Sequence, residues 1–160
     1  YHLGENGVWT KMTNFESGAH VPLIVSLPGQ STAGQRTKAL VELVDIYPSL
    51  AELCGLPLPP RLEGTSFAPL LDKPGQPWKT AVFSQYLRPG KPPIMGRSIR
   101  TDRWRYTEWR DPKQNLAGTE LYDEENDPQE NINIAAEPAH AVTIEALATQ
   151  LKAGWKAARP

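Results

Sequence analysis

Met95-Gly-Arg-Ser-Ile-Arg-Thr-Asp-Arg-Trp-Arg-Tyr-Thr-Glu-Trp109 lies at the centre of the chain's β-type pattern. Its halves, Met95–Thr101 and Arg103–Trp109, are short β-type runs, and Thr101-Asp102 joins them tightly. That pattern reads as a β-hairpin. Similar runs lie on either side, Ala81–Tyr86 before it and Thr119–Tyr122 after it. Four such runs predict a small antiparallel sheet. Further on, Ala141, Ile144, Leu147, Ala148, Leu151 and Trp155 repeat at helical spacing between Glu137 and Ala158. Their apolar stripe predicts an amphipathic C-terminal helix packed on that sheet.

Upstream the pattern differs. Val21-Pro-Leu-Ile-Val-Ser-Leu27 is nearly continuous in apolar residues and is closed by Pro28-Gly29. Such a run suits a strand covered on both faces, as in a parallel sheet flanked by helices. Ala39–Val44 reads as a second strand. Asp45 follows as an N-cap, Pro48 falls in a first helical turn, and Gly55 ends a helix reaching about Cys54. Strand–helix alternation is an α/β signal. The character changes at Leu56-Pro-Leu-Pro-Pro60, which opens a proline-rich loop region to residue 80. The expected organisation is therefore residues 1–55 as the end of an α/β layer and residues 56–160 as an antiparallel sheet with a helix packed on it.

Bulk properties exclude some functions. A chain of 160 residues holds one domain or part of a larger one. Its sixteen prolines favour loops and short elements over a helix bundle. A net charge of −1 gives no support to nucleic-acid binding or attraction to an anionic membrane. No apolar stretch approaches the about 18 residues a membrane span needs. Cys54 is the only cysteine, so there is no internal disulfide, and its apolar setting reads as a buried small hydrophobe.

The N-terminal run Tyr1-His-Leu-Gly-Glu-Asn-Gly-Val-Trp-Thr-Lys11 has the layout of an active-site loop. Gly4 and Gly7 permit tight turning, Glu5 can accept backbone hydrogen bonds, and Trp9 is expected to pack the loop on the core. The run resembles the Tyr-x-Leu-Gly-Glu-x-Gly-x-Trp-x-Lys segment of type I sulfatases. Further segments agree in order: Glu16–Leu23, Val44-Asp-Ile-Tyr-Pro-Ser-Leu50, Met95–Thr101 with Arg105-Tyr-Thr-x-Trp109, and Glu120-Leu-Tyr-Asp123 with Asp127-Pro-Gln-Glu-Asn131. The Ser98-Ile-Arg-Thr101 version is similar to the iduronate-2-sulfatase-like branch.

This resemblance implies an alkaline-phosphatase-like α/β sandwich and a formylglycine-dependent sulfatase acting on a sulfated sugar or polysaccharide. It also implies a divalent cation, calcium, and a periplasmic, secreted or lysosome-like compartment. The formylglycine precursor lies in a Cys-x-Pro-x-Arg motif that Cys54-Gly-Leu-Pro-Leu58 does not match. The metal ligands are expected before Tyr1 as well. By this reading the chain is a C-terminal fragment, inactive alone, whose first partner is the N-terminal part of the same protein.

Within the chain, Lys11 is the candidate catalytic and substrate-binding residue. Cleaving a sulfate ester builds negative charge on the sulfuryl and leaving oxygens, and a compact ammonium on a long stem can neutralise it from a loop. His20, before the Val21 run, is a candidate for shaping the substrate pocket, beside a purely structural role. Arg97, Arg100, Arg103, Arg105 and Arg110 alternate with apolar residues. Arg100 is the best candidate among them for touching an anionic sugar. The alternative is a solvated face paired with Asp102, Glu108 and Asp111. His140 reads as solvent-facing, and Asp123–Asp127 as a solvated turn without an EF-hand pattern. Two rival functions stay open: a non-catalytic carbohydrate- or partner-binding module, and a phosphoester or phosphonate hydrolase of the same superfamily.

Overall fold

A computed structural model describes residues 1–160. In chain order its regular elements are α1 (Glu16–Ala19), α2 (Ile46–Leu53), α3 (Ala68–Asp72), β1 (Val82–Arg88), β2 (Ile94–Arg100), β3 (Trp104–Arg110), β4 (Leu116–Asp123) and α4 (Ala141–Ala153). The strands form one antiparallel sheet in the order β1-β2-β3-β4. The hairpin stands where the sequence places it, with Met95 opposite Arg110 and Arg100 opposite Arg105. Its turn is held by Thr101, whose N–H donates to the Trp104 carbonyl at 2.9 Å while its Oγ1 accepts from the Trp104 N–H at 3.0 Å.

Alternation along the strands gives the sheet two unlike faces. One carries Ile99, Tyr106 and Leu121, all buried, with Ala81 beside them. Helix α4 covers this face through Leu147, with Ile144, Ala148 and Leu151 packed around it. The expected stripe is thus the packed one, but the helix is shorter than the stripe suggested. Gly154, at φ 75°, stops α4, and Trp155–Ala158 continues as a 3-10 turn that inserts Ala158 into the core. The other face carries Ser98, Arg105 and Thr107, buried and polar, with Arg100 and Glu120 alongside. Residues 1–20 lie across it.

Helix α2 begins after Asp45 and ends before Gly55, which takes φ 65° as the left-handed C′ residue. The Asp45 carboxylate does not cap the helix. It accepts from the backbone N–H of Glu42 at 2.8 Å and of Thr65 at 2.7 Å. The same carboxylate pairs with the buried Lys79 Nζ at 2.7 Å. Lys79 also pairs with Glu42, and Glu42 accepts from the Phe83 N–H at 2.9 Å. This buried triad ties the α2 region to β1.

The structure departs from the sequence pattern at three places. Residues 21–27 and 39–42 form no strand, and Ile24 is 90% exposed. A strand requires a neighbour for its N–H and C=O groups, and the one sheet of this chain is complete without these segments. Cys54 is exposed rather than buried, since it is the C-cap residue of α2, beyond the buried Pro48, Ser49 and Ala51. Trp9 does not pack on the core either. It is 72% exposed and lies against Gly4 within its own loop.

Candidate active-site loop

Residues 1–11 close on themselves. The His2 N–H donates to the Thr10 carbonyl at 2.9 Å and the Gly4 N–H to Val8 at 3.0 Å, forming a narrow two-rung stem. A 3-10 turn, Glu5–Gly7, crosses its end. Gly4 sits at φ 123°, and a Cβ there would stand 3.2 Å from the Trp9 ring, so both conformation and space call for glycine. The Leu3 N–H donates to Glu5 Oε2 at 2.5 Å, which holds the Glu5 carboxylate below its ordinary pKa. Lys11 follows the stem directly and is exposed, its ammonium free to reach outward. Behind it His2 is buried, with Nε2 3.0 Å from Ser17 Oγ and its ring 5.9 Å from Phe15.

The loop is pinned at four points, two on Glu130 in the segment after β4 and two on the polar face of the sheet. Asn6 Nδ2 donates to the Glu130 carbonyl at 2.7 Å, and the Glu16 N–H to Glu130 Oε2 at 2.6 Å. Asn14 Nδ2 donates to the Gly96 carbonyl at 3.1 Å. Finally, the Glu16 carboxylate pairs with Arg105 and, at 3.3 Å, with Arg100 Nε. Arg105 Nε stands 2.7 Å from Glu130 Oε1, and Glu124 approaches both arginines at 3.5 Å.

Three carboxylates therefore face two guanidiniums in a nearly dry space. Burial pushes the Glu130 carboxyl up to about 8, against the pull of Arg105. Burial also raises Glu124. At Glu16 burial acts the same way but is overcome by Arg105 and Arg100, and the carboxyl lies below its usual range. The three acids respond differently because Glu16 takes the closest contacts with both arginines.

The arginine run divides by strand face. Arg100 and Arg105 turn inward to this cluster, and Arg100 also donates to the Thr101 carbonyl. Arg103 pairs with Asp123 at 2.7 Å and Arg110 with Glu108 at 2.7 Å. Of the partners anticipated from sequence, only Glu108 takes that role. His20 is largely exposed and pairs with Glu16 at 2.9 Å. Thus His20 and Arg100 meet on one carboxylate, while Lys11 projects from the same loop. His140 is not solvent-facing: its ring stacks edge-on to Trp104 at 5.6 Å. Asp123–Asp127 is a turn, with Asp123 accepting from Asn126 Nδ2 at 2.8 Å, but it is not the solvated one expected: Asp123 is buried and Glu124 turns into the arginine cluster.

Glu16, Glu124 and Glu130 were not singled out in the sequence. The available signal was the pair Arg100 and Arg105 on one face of a hairpin, since buried guanidiniums require carboxylates.

No set of three or more His, Cys, Asp or Glu side chains is arranged to hold a metal ion. The inward acids are already matched to guanidiniums, so these residues do not fit a calcium site.

The loop, its lysine and the sheet beneath it match the family model described as N-sulphoglucosamine sulphohydrolase, C-terminal, over residues 4–157. The chain belongs to this sulfatase family. It is 31% identical to mouse iduronate 2-sulfatase, covering 91% of this chain and 38% of that protein. It is 34% identical to rat arylsulfatase K, covering 83% of this chain and 24% of that protein. Among solved structures, one determined in complex with its substrate D-glucosamine-2-N,6-O-disulfate is similar at a TM-score of 0.66 and 25% identity, covering 78% of this chain and 26% of that one. The sulfatase chain described here thus spans less than two fifths of these relatives' length. Its mixed α/β architecture, a four-stranded antiparallel sheet with a C-terminal helix, is that of the C-terminal part of sulfatases of the alkaline-phosphatase-like fold.

Proposed function

We propose that this chain is the C-terminal part of a sulfatase that hydrolyses sulfate esters of a sulfated sugar or polysaccharide, and that Lys11 is its contribution to the reacting group. The observation that carries this reading is the placement of Lys11. It follows a stem closed by two backbone hydrogen bonds, on a loop anchored to the sheet through Glu16, Asn14 and Asn6. A fixed, exposed ammonium can neutralise the sulfuryl oxygens and the leaving oxygen as the S–O bond breaks. His20 stands at the edge of the same loop as a pocket-shaping residue. Arg100 stands behind it and holds Glu16.

The formylglycine nucleophile and calcium would come from outside these 160 residues, and no step is assigned to either. The N-terminal part of the same protein would be the partner. Residues 21–50 support this with Val21, Leu23, Ile24, Leu43, Tyr47 and Leu50, large apolar side chains that stay exposed in this chain. On this reading residues 1–55 complete the catalytic α/β domain and 56–160 form a C-terminal subdomain. A periplasmic, secreted or lysosome-like compartment would suit such an enzyme. No helix of the chain is long and apolar enough to cross a membrane.

Substituting Lys11→Ala in the full-length protein tests the reading. Turnover of 4-nitrophenyl sulfate should fall by at least about 100-fold, in line with loss of one charge-stabilising group, with the melting temperature unchanged. Turnover equal to wild type would remove Lys11 from the site.

A further inference from the structure

A cleft of about 560 Å³ lies on the polar side of the sheet, between the 6–15 loop and strands β1 and β4. Its size suits a small ligand or single ring. Thr10 and Met12 line it, so it adjoins the loop position that presents Lys11. From the sheet come Tyr86 and Arg88 of β1, and Glu120 and Tyr122 of β4.

The state of these polar groups is informative. The Arg88 guanidinium lies 4.1 Å over the Trp109 ring, which fixes its plane. It is half-buried, and no carboxylate stands within ion-pairing distance of it, in contrast to Arg100, Arg103, Arg105 and Arg110, which all have one. Its fork of N–H groups is therefore oriented and unspent. Burial raises the Glu120 carboxyl above its usual range, opposed by the Trp109 indole N–H and the Arg88 charge. That indole N–H nonetheless makes no well-aligned hydrogen bond. Tyr86 and Tyr122 also line the cleft, with Asn6, Glu130, Asn131 and Asn133. The cleft thus combines a planar cation, acids and amides around tyrosine rings. A ring that carries hydroxyls and one acidic group suits this mixture, its acidic group toward Arg88 and its hydroxyls toward the acceptors.

We infer that this cleft is a second sugar subsite, in which Arg88 receives the carboxylate or sulfate of a sugar ring and Glu120 accepts from its hydroxyls. The bidentate geometry of a guanidinium suits either acidic group, and tyrosine edges suit a ring with apolar and polar faces. The inference rests on the sulfatase reading for its substrate class: the ring would neighbour the one bearing the scissile ester.

The test uses the full-length protein with Arg88→Ala, Arg88→Lys and Glu120→Gln. The measured quantity is the ratio of kcat/KM for a tetrasaccharide of alternating uronate and sulfated glucosamine to that for 4-nitrophenyl sulfate. Arg88→Ala should lower this ratio at least tenfold, chiefly through KM of the tetrasaccharide. Arg88→Lys, which keeps the charge and loses the fork, should recover only part of it. A ratio within twofold of wild type in all three variants overturns the inference. So does an equal loss on both substrates with a large drop in melting temperature, which would make Arg88 a packing residue. If the wild-type protein hydrolyses neither substrate, the sulfatase reading fails, and calorimetric titration with the same tetrasaccharide still decides the subsite. Binding weakened tenfold by Arg88→Ala upholds it, and equal or absent binding in both proteins overturns it.

Discussion

The two faces of the four-stranded sheet are held by different physics. The face under α4 is a dry apolar cluster in which Ile99 and Leu121 are fully buried. Its partners, α4 and the neighbouring strands, need only fit. The opposite face is buried to a similar depth at Ser98, Arg105 and Thr107, yet its contacts are charged and come from the N-terminal loop. The apolar face gains by removing surface from water, whatever the detailed geometry. The polar face gains only where every charge is matched, and it fixes register and position in return. The first face makes the sheet stable. The second sets where the Lys11 loop sits.

Breaking one partner on each face should expose this difference. Arg105→Ala leaves Glu16 and Glu124 facing Arg100 alone and Glu130 without a guanidinium, and loss of one partner of a buried charged group costs on the order of 3–5 kcal/mol. Urea denaturation should register that loss, together with faster hydrogen exchange at the Glu16 amide. Leu121→Ala removes a fully buried side chain and should cost roughly 3 kcal/mol. It should leave the Lys11 loop and its amide exchange in place. Equal loosening of the loop in both variants would erase the distinction between the faces.

Gly96→Ala addresses the seam where the loop rests on the polar face. A Cβ at Gly96 would lie 2.5 Å from Trp109 Cζ3 and 2.7 Å from Asn14 Nδ2. Trp109 is a buried ring and Asn14 is hydrogen-bonded to the Gly96 carbonyl, so neither moves freely. The expected cost is about 1–3 kcal/mol. It should come with detachment of Asn14, seen as protection lost in residues 13–16 and kept in α4. Uniform loss of protection across the sheet would count against a local seam.

How much of this was legible in sequence follows from the range of the contacts. The hairpin and the α4 stripe rest on alternation and on neighbours a few residues away, so their patterns are visible in a short window. The polar-face cluster joins Glu16 to Arg105 across 89 residues, and no local pattern points from one to the other. Arg100 and Arg105 announced a charged face but not its partners. Residues 21–27 failed for a different reason. Their composition fits a doubly covered strand, but a strand is a property of a pair, and no second strand lies beside them. The loop that carries Lys11 was legible because it is one contiguous, motif-like run. The Arg88 arrangement was not, since it depends on a ring from β3 and on no carboxylate lying within ion-pairing distance.

The smallest and most selective expected effect concerns pH. The Glu130 carboxyl is raised by burial to about 8, so between its unfolded value near 4.5 and about 8 the folded state holds a proton that the unfolded state has released. Stability therefore falls as pH rises through that window, because the native state binds more protons there. Glu16 has the opposite sign. Its lowered carboxyl contributes stability above about 4.5 that is lost as pH falls below it. Glu130→Gln keeps an oxygen for the Glu16 N–H and removes the titration. It should flatten the decline between about pH 5 and pH 8 while leaving the acid limb set by Glu16. Near pH 5 the variant should match wild type closely, since Glu130 is then protonated in the fold. Urea midpoints measured at intervals from pH 4 to 9 decide it. A variant that keeps the wild-type slope above pH 5 would move the titrating group elsewhere. Retention of the slope in Leu121→Ala is the companion expectation, because that substitution leaves Glu130 and its contacts with Arg105 and the Glu16 N–H in place.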